Sequence, residues 1–282
     1  LISLEKYYSL RDSLAGTSDI MSSISDLYKI KKIGMIDVHV HGFLNDHMNN
    51  MLIKYIKIFG IEKAFISIYP FDLGRIDPSH EDVLKGNIKI KELINREKSF
   101  RGMVYVNLLN SEDVDMAERF LREGFCGIGE IYRSVKPRPG LIKPYIDLAI
   151  EYDVPIFIHV AHRLYPRSRP REASVYDLCR IAFKWPKAKI IVSHIAGGGD
   201  WENSIEILKR CDVSNIYIDT GGSVGDSGMI ERLVREFRRE NILFGSDNIF
   251  STSIARIEDA DVDEDIKIMI YRENPLKVFK CD

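Results

Sequence analysis

Short apolar runs rich in Ile, Val and Phe recur along the chain at residues 35–41, 63–69, 101–108, 124–132, 154–161, 189–195, 215–220 and 241–247. Each has the length of a strand, and most are nearly continuously apolar. That pattern marks strands covered on both faces, as in a parallel sheet. Between these runs the apolar positions take helical spacing. Residues 50–60, "NMLIKYIKIFG", carry one apolar helical face and stop at Gly60, a residue type suited to the left-handed turn that ends helices. Residues 111–124, "SEDVDMAERFLREG", open on Ser and acids and close on Gly, the order that capping and the helix dipole favour. Residues 174–185 and 228–240 read the same way. Residues 274–279, "NPLKVF", read as an Asn cap with Pro in the first turn.

Strands alternating with helices at about 25–35 residues per repeat predict an α/β fold, a (β/α)8 TIM barrel of about 250 residues. A doubly wound open sheet is the alternative. Residues 1–33 precede the first strand and are expected to form an N-terminal helical extension, leaving 34–282 as the barrel domain. No linker or second domain interrupts the alternation.

Composition changes this picture little, but it removes some functions. The charged residues nearly balance, 40 Lys and Arg against 42 Asp and Glu, so no global attraction to nucleic acid or to an anionic membrane is expected. No segment is apolar for long enough to span a bilayer. Residues 1–16 are charged throughout and do not read as a signal peptide. The four cysteines, Cys126, Cys179, Cys211 and Cys281, form no CxxC pair. They are expected to be buried or incidental thiols of a protein in a reducing, cytoplasmic interior.

Chemistry collects at the carboxyl ends of the expected strands, where barrels keep their sites. His39 and His41 end the first run in "IDVHVHG"; two apart on a strand, they share one face while Val40 takes the other. Glu130 lies in "GIGEIY" on the fourth run, His159 in "PIFIHVAH" on the fifth, His194 in "IIVSHIAGGG" on the sixth and Asp247 in "ILFGSDN" on the eighth. A lone histidine is more often a hydrogen-bonded core residue, and HxH alone is weak. Burying this many imidazoles and acids together without a partner would be costly. The pattern therefore points to a divalent metal, Zn2+ first, with Mn2+, Fe2+ or Ni2+ as alternatives.

These motifs resemble the amidohydrolase superfamily, and most closely its amidohydrolase-2 branch, which includes aminocarboxymuconate semialdehyde decarboxylase-like enzymes. The resemblance runs from about Met35 to Phe279. It implies that His39, His41 and His159 are metal ligands and that Asp247 is a ligand that also moves a proton. His194 would bind a second metal or, with one metal, polarise water or substrate, and so shares the catalytic role. Glu130 departs from part of the family. It resembles the bridging Glu of TatD-type nucleases; the alternative is a carboxylate that only orients a ligand histidine. One or two ions are therefore open.

Tyr69, Tyr132, Arg133, His162, Arg163 and Trp201 follow strand ends and are candidate substrate-binding residues. An Arg at the mouth suits a carboxylate or phosphate. "TGGSVG" at 220–225 lacks the Lys-Ser/Thr ending of a phosphate loop. The expectation is a metal-dependent hydrolase in which activated water attacks an ester, lactone or amide-type bond of a small molecule. Decarboxylation, TatD-like phosphodiester hydrolysis and a catalytically dead barrel are the alternatives. A homodimer is the base expectation for a soluble enzyme.

Overall fold

The computed structural model describes residues 33–281 except 75, 135, 161–171, 198–199 and 223. The expected N-terminal extension, but for its last residue, therefore lies outside the described residues, as do His162 and Arg163.

Every apolar run overlaps a strand: β1 Met35–Gly42, β2 Ile61–Ile68, β3 Phe100–Gly102, β4 Ile128–Ile131, β5 Pro155–Ile158, β6 Lys189–Val192, β7 Ile216–Asp219 and β8 Ile242–Leu243. All neighbouring pairs are parallel, in the orders β1-β2-β3 and β4-β5-β6-β7-β8. Contacts beyond these two strand groups span both seams. Val104 bridges to Ile128 beside β4, and Val38 N donates to Phe244 O at 2.9 Å.

The later strands are shorter than the apolar runs, for a local reason. His194, two residues past β6, adopts left-handed backbone with φ of 59°, a conformation that cannot continue a ladder, and Asp247, four residues past β8, does the same with φ of 52°. Past β3 the side chain of Asn87 replaces the ladder. It accepts from Tyr105 N at 2.9 Å and donates to Tyr105 O at 2.8 Å.

Helices α1 Asp46–Ile58, α2 His80–Arg96, α3 Glu112–Arg122, α4 Pro139–Glu151, α5 Val175–Lys184, α6 Trp201–Cys211, α7 Met229–Glu236 and α8 Phe250–Glu258 alternate with the strands. Helix α1 begins four residues before the expected start, because Asn45 Oδ1 accepts from His47 N and Met48 N and so caps it there. Ser174 caps α5 in a reciprocal box with Asp177. Asn274 corrects a sequence expectation. It lies within a continuous helical run, Met269–Glu273 into Asn274–Val278, and caps nothing. Its Nδ2 donates to Arg239 O and Ile242 O instead, tying the last helix to β8.

Two apolar clusters result. The larger fills the layer between strands and helices. The smaller lies inside the strand ring, where Ile36, Val38, Phe65, Phe157, Ile191 and Leu243 meet the C-terminal Val278 and Phe279. The Phe279 ring stacks on Phe65 at 3.7 Å.

The cysteines differ from expectation. Cys126 pairs with Cys281 and Cys179 with Cys211, across 155 and 32 residues of sequence. Tertiary contact alone creates these pairs, which spacing does not reveal, and they remove the argument that tied the cysteines to a reducing compartment. Among the described residues, no helix is long and apolar enough to cross a membrane.

Candidate metal centre

Strand β1 shifts register between Asp37 and Val40. Ile36 and Val38 pack inside the ring, while Val40 joins the helix-facing layer. The irregularity lets His39 and His41 take over the inner face, with their Nε2 atoms 3.1 Å apart. The segment after β8 pins this strand end. Asp247 N donates to His39 O at 2.8 Å, and the Asn248 amide both accepts from His41 N and donates to His41 O.

Strand β4 is irregular between Ile128 and Ile131, and there Glu130 enters the centre, 2% exposed. Its two oxygens face different neighbours. Oε2 is 3.4 Å from Nε2 of both His39 and His41. Oε1 is 3.0 Å from His159 Nδ1 and 3.6 Å from His194 Nε2. Asp247 Oδ1 lies 3.6 and 3.4 Å from His39 and His41, and its Oδ2 lies 3.8 Å from His194 Nδ1. His194 Nε2 and His159 Nδ1 are 3.2 Å apart. All six candidates thus converge: His39, His41 and Asp247 form one donor set, with one Glu130 oxygen beside its two imidazoles, and His159, His194 and the other Glu130 oxygen form a second, while Asp219 forms a further group with His39 and His194.

These donor sets fit divalent ions. A tetrahedral ion bound at about 2.0–2.2 Å holds its ligand atoms about 3.4 Å apart, the spacing found here. Crowded nitrogens and carboxylate oxygens cut off from water also require a positive charge to hold them together. The electrostatics agree. Burial opposes protonation of His39, yet Asp219, Glu130 and Asp247 hold its pKa well above the usual imidazole range. Burial is likewise outweighed at His41 by Asp247 and Glu130. At His159 it is outweighed by Glu130 and Glu172, and the pKa rises to about 9. His194 is pushed down, by burial and by the neighbouring imidazoles. Burial works against ionising Glu130 and Asp247, but the imidazoles prevail. They hold Glu130 well below its usual range and Asp247 at about 2.

Residues outside the expected set hold the centre in place. Asp219, fully buried at the end of β7, accepts from His39 Nδ1 at 2.7 Å and from His194 N at 3.2 Å. This fixes the His39 tautomer with Nε2 toward the other donors. Ser67 Oγ lies 3.3 Å from His41 Nδ1. Gly221 and Gly222 of "TGGSVG" make room for imidazoles. A Cβ on Gly221 would stand 3.2 Å from His39 Nδ1, and one on Gly222, at φ +92°, would stand 2.9 Å from His194 Nδ1. The signal for Asp219 was present, as a lone acid ending the apolar run "IYID".

A cavity of about 530 Å3 opens before the centre, walled by Phe43, Tyr69, Phe71 and Tyr132. Tyr132 stacks on His159 at 3.8 Å. Arg133 lies over the Phe71 ring at 4.4 Å and lines a side recess with His159 and Glu172. Trp201 does not line the cavity. It is 6% exposed, and its Nε1 donates to Asp226 at 2.8 Å.

The amidohydrolase family model matches residues 74–281. The chain belongs to the amidohydrolase family. No curated protein matches it. Solved structures share its fold. A dihydroxybenzoic acid decarboxylase from Polaromonas sp. JS666, with bound manganese and 2-nitroresorcinol, is 18% identical with a TM-score of 0.63, over 88% of this chain and 97% of that one. A 4-oxalomesaconate hydratase from Rhodopseudomonas palustris is 16% identical with a TM-score of 0.65, over 87% and 95%. A probable 2-pyrone-4,6-dicarboxylic acid hydrolase from Acinetobacter baumannii is 10% identical with a TM-score of 0.61, over 87% and 98%. Decarboxylases recur among these structures. This amidohydrolase is thus an α/β-barrel, metal-dependent enzyme of a superfamily whose members run several reactions on one scaffold.

Proposed function

We propose that this amidohydrolase hydrolyses an ester, lactone or amide-type bond of a small, planar organic acid, using two divalent ions. The observation that carries this reading is Glu130, whose two oxygens face two separate donor sets. His39, His41 and Asp247 would hold one ion and His159 and His194 the other, with Glu130 serving both. Bound divalent ions supply Lewis acidity and bring the pKa of water toward neutrality. Asp247 stands at the cavity floor with 24% of its side chain exposed, placed to accept a proton. Water adds to the substrate carbonyl carbon, its proton passes to Asp247, and Asp247 returns it to the leaving oxygen or nitrogen. Tyr69, Phe71 and Tyr132 would sandwich a flat substrate, and Arg133 would bind a carboxylate at the rim. The imidazole-rich donors suit Zn2+; manganese in the Polaromonas structure supports Mn2+ as well.

Non-oxidative decarboxylation is the second reading, favoured by the aromatic walls and by the decarboxylases of the same fold. Metal analysis separates the two, together with a panel of lactones, esters, amides and aromatic carboxylates followed for acid and for CO2. Two ions per chain with acid release support hydrolysis. One ion with CO2 release overturns it in favour of the second reading. A purified chain that takes up no divalent ion sinks both.

Two further results are expected. Because His159 is held at about 9, metal-free protein carries that ring protonated at pH 7, and an ion must displace the proton. Affinity therefore rises with pH up to about 9, and binding at pH 7 releases protons. Calorimetry in buffers of different ionisation enthalpy reads this directly; a buffer-independent heat refutes it. Asp219→Asn removes the charge behind His39 and is expected to weaken metal affinity by about 10–100-fold. Competition with a chromogenic chelator measures it, and an unchanged constant contradicts the orienting role.

A further inference from the structure

We infer that Arg256, on α8 outside the catalytic cavity, is a positioning residue of the metal centre. The inference rests on the reading that His39 and His194 hold metal. Arg256 reaches from α8 back to the loop after β7 and binds three successive carbonyls. Nη1 donates to Thr220 O and, at 3.3 Å, to Gly221 O, and Nη2 donates to Gly222 O at 2.8 Å. A planar guanidinium fixes three carbonyls in one plane of contact; a lysine ammonium has a single point from which to donate.

That loop bears on both donor sets. Its first residue follows Asp219, which accepts from His39 Nδ1, from His194 N and from Gly221 N at 2.6 Å. Gly222 faces the His194 ring so closely that there is no space for a methyl group. A loop released from Arg256 can therefore shift Asp219, and with it the tautomer and direction of His39, while Gly222 ceases to hold the His194 ring. Arg256 also brings a cation toward Asp219 and Asp226, whose charges act on it. This offsets the fully buried Asp219 carboxylate that the His39 pair requires. Arg256 itself lines a separate recess of about 260 Å3 with Asp226 and Asp259, so it acts through other residues.

The test uses the full chain and Zn2+ or Mn2+ alone as the probe. Wild type, Arg256→Met and Arg256→Lys are compared by chelator competition, by metal-free thermal denaturation and by kcat and KM on whichever substrate the panel yields. Arg256→Met is expected to bind metal about 10–100-fold more weakly and to lose kcat with KM little changed. Arg256→Lys should recover part of both. Folded Arg256→Met with wild-type metal affinity and kcat overturns the inference, even if its melting temperature falls, because that is what a merely structural role produces. If Arg256→Met does not fold, Arg256→Lys decides: a metal affinity within threefold of wild type overturns the inference, and a larger loss supports it. A wild-type chain that binds no metal fails the functional reading first and takes this inference with it.

Discussion

Asp247→Asn lowers kcat by about 10^2–10^4-fold, the usual contribution of a positioned acid–base group, while KM and the folded state stay close to wild type. The replacement keeps an oxygen toward His39 and His41 and keeps the backbone N–H that donates to His39 O at 2.8 Å. What it removes is the ability to take a proton from water and return it. Asp247 is suited to that task because it is the more exposed of the two acids at the centre, at 24% against 2% for Glu130. Its left-handed backbone, φ 52°, turns the side chain to the cavity floor at the point where β8 has ended. Steady-state rates alongside metal analysis check this. A variant that retains its ions and turns over within about threefold of wild type removes Asp247 from the proton path.

Glu130→Gln is expected to cost one of the two ions proposed above. Glu130 has one oxygen in each donor set, and its charge, together with that of Glu172, raises His159 to about 9 against burial. Without that charge, His159 and His194 are two imidazoles facing each other at 3.2 Å. The group of Glu130, His159 and His194 then loses its carboxylate charge. The expected loss in affinity for that ion exceeds about 100-fold, since even outer partners of a ligand contribute about 10–100-fold. The first set keeps His39, His41 and Asp247 and still binds. Elemental analysis of wild type and variant after dialysis against equal metal concentrations gives the answer. An unchanged count of two ions shows that Glu130 does not join the sets, and a wild-type count of one shows that the second set is not a site.

The candidate metal-binding residues were legible before the fold. Strand periodicity places His39 and His41 on one face whatever the surroundings, because successive side chains alternate. Apolar runs ending in His or Asp mark where strands stop, and a barrel brings strand ends together. The positioning residues were not legible in the same way. Asn248, Ser67 and Arg256 are common residue types in ordinary contexts, and each takes its place from a partner far away in the chain, whereas Asp219 carried a signal as the acid that ends an apolar run. The Gly221–Gly222 pair invited a phosphate-loop reading, because a glycine's use depends on what stands opposite it. Trp201 follows a strand end in sequence but turns to Asp226, a rotation that no local pattern encodes.

The sequence by itself determined the alternation of strands and helices, the parallel sheet and the choice of six candidate donors that the fold brings together, since these follow from periodicity and from residue chemistry. Only the tertiary structure decided that Glu130 turns one oxygen to each donor set, that the β1 irregularity aims His39 and His41 inward and that four distant cysteines meet in two pairs. Those outcomes depend on register shifts of a single residue and on contacts between segments as much as 207 residues apart. Such contacts are fixed by the packing of the whole chain, which local patterns do not specify.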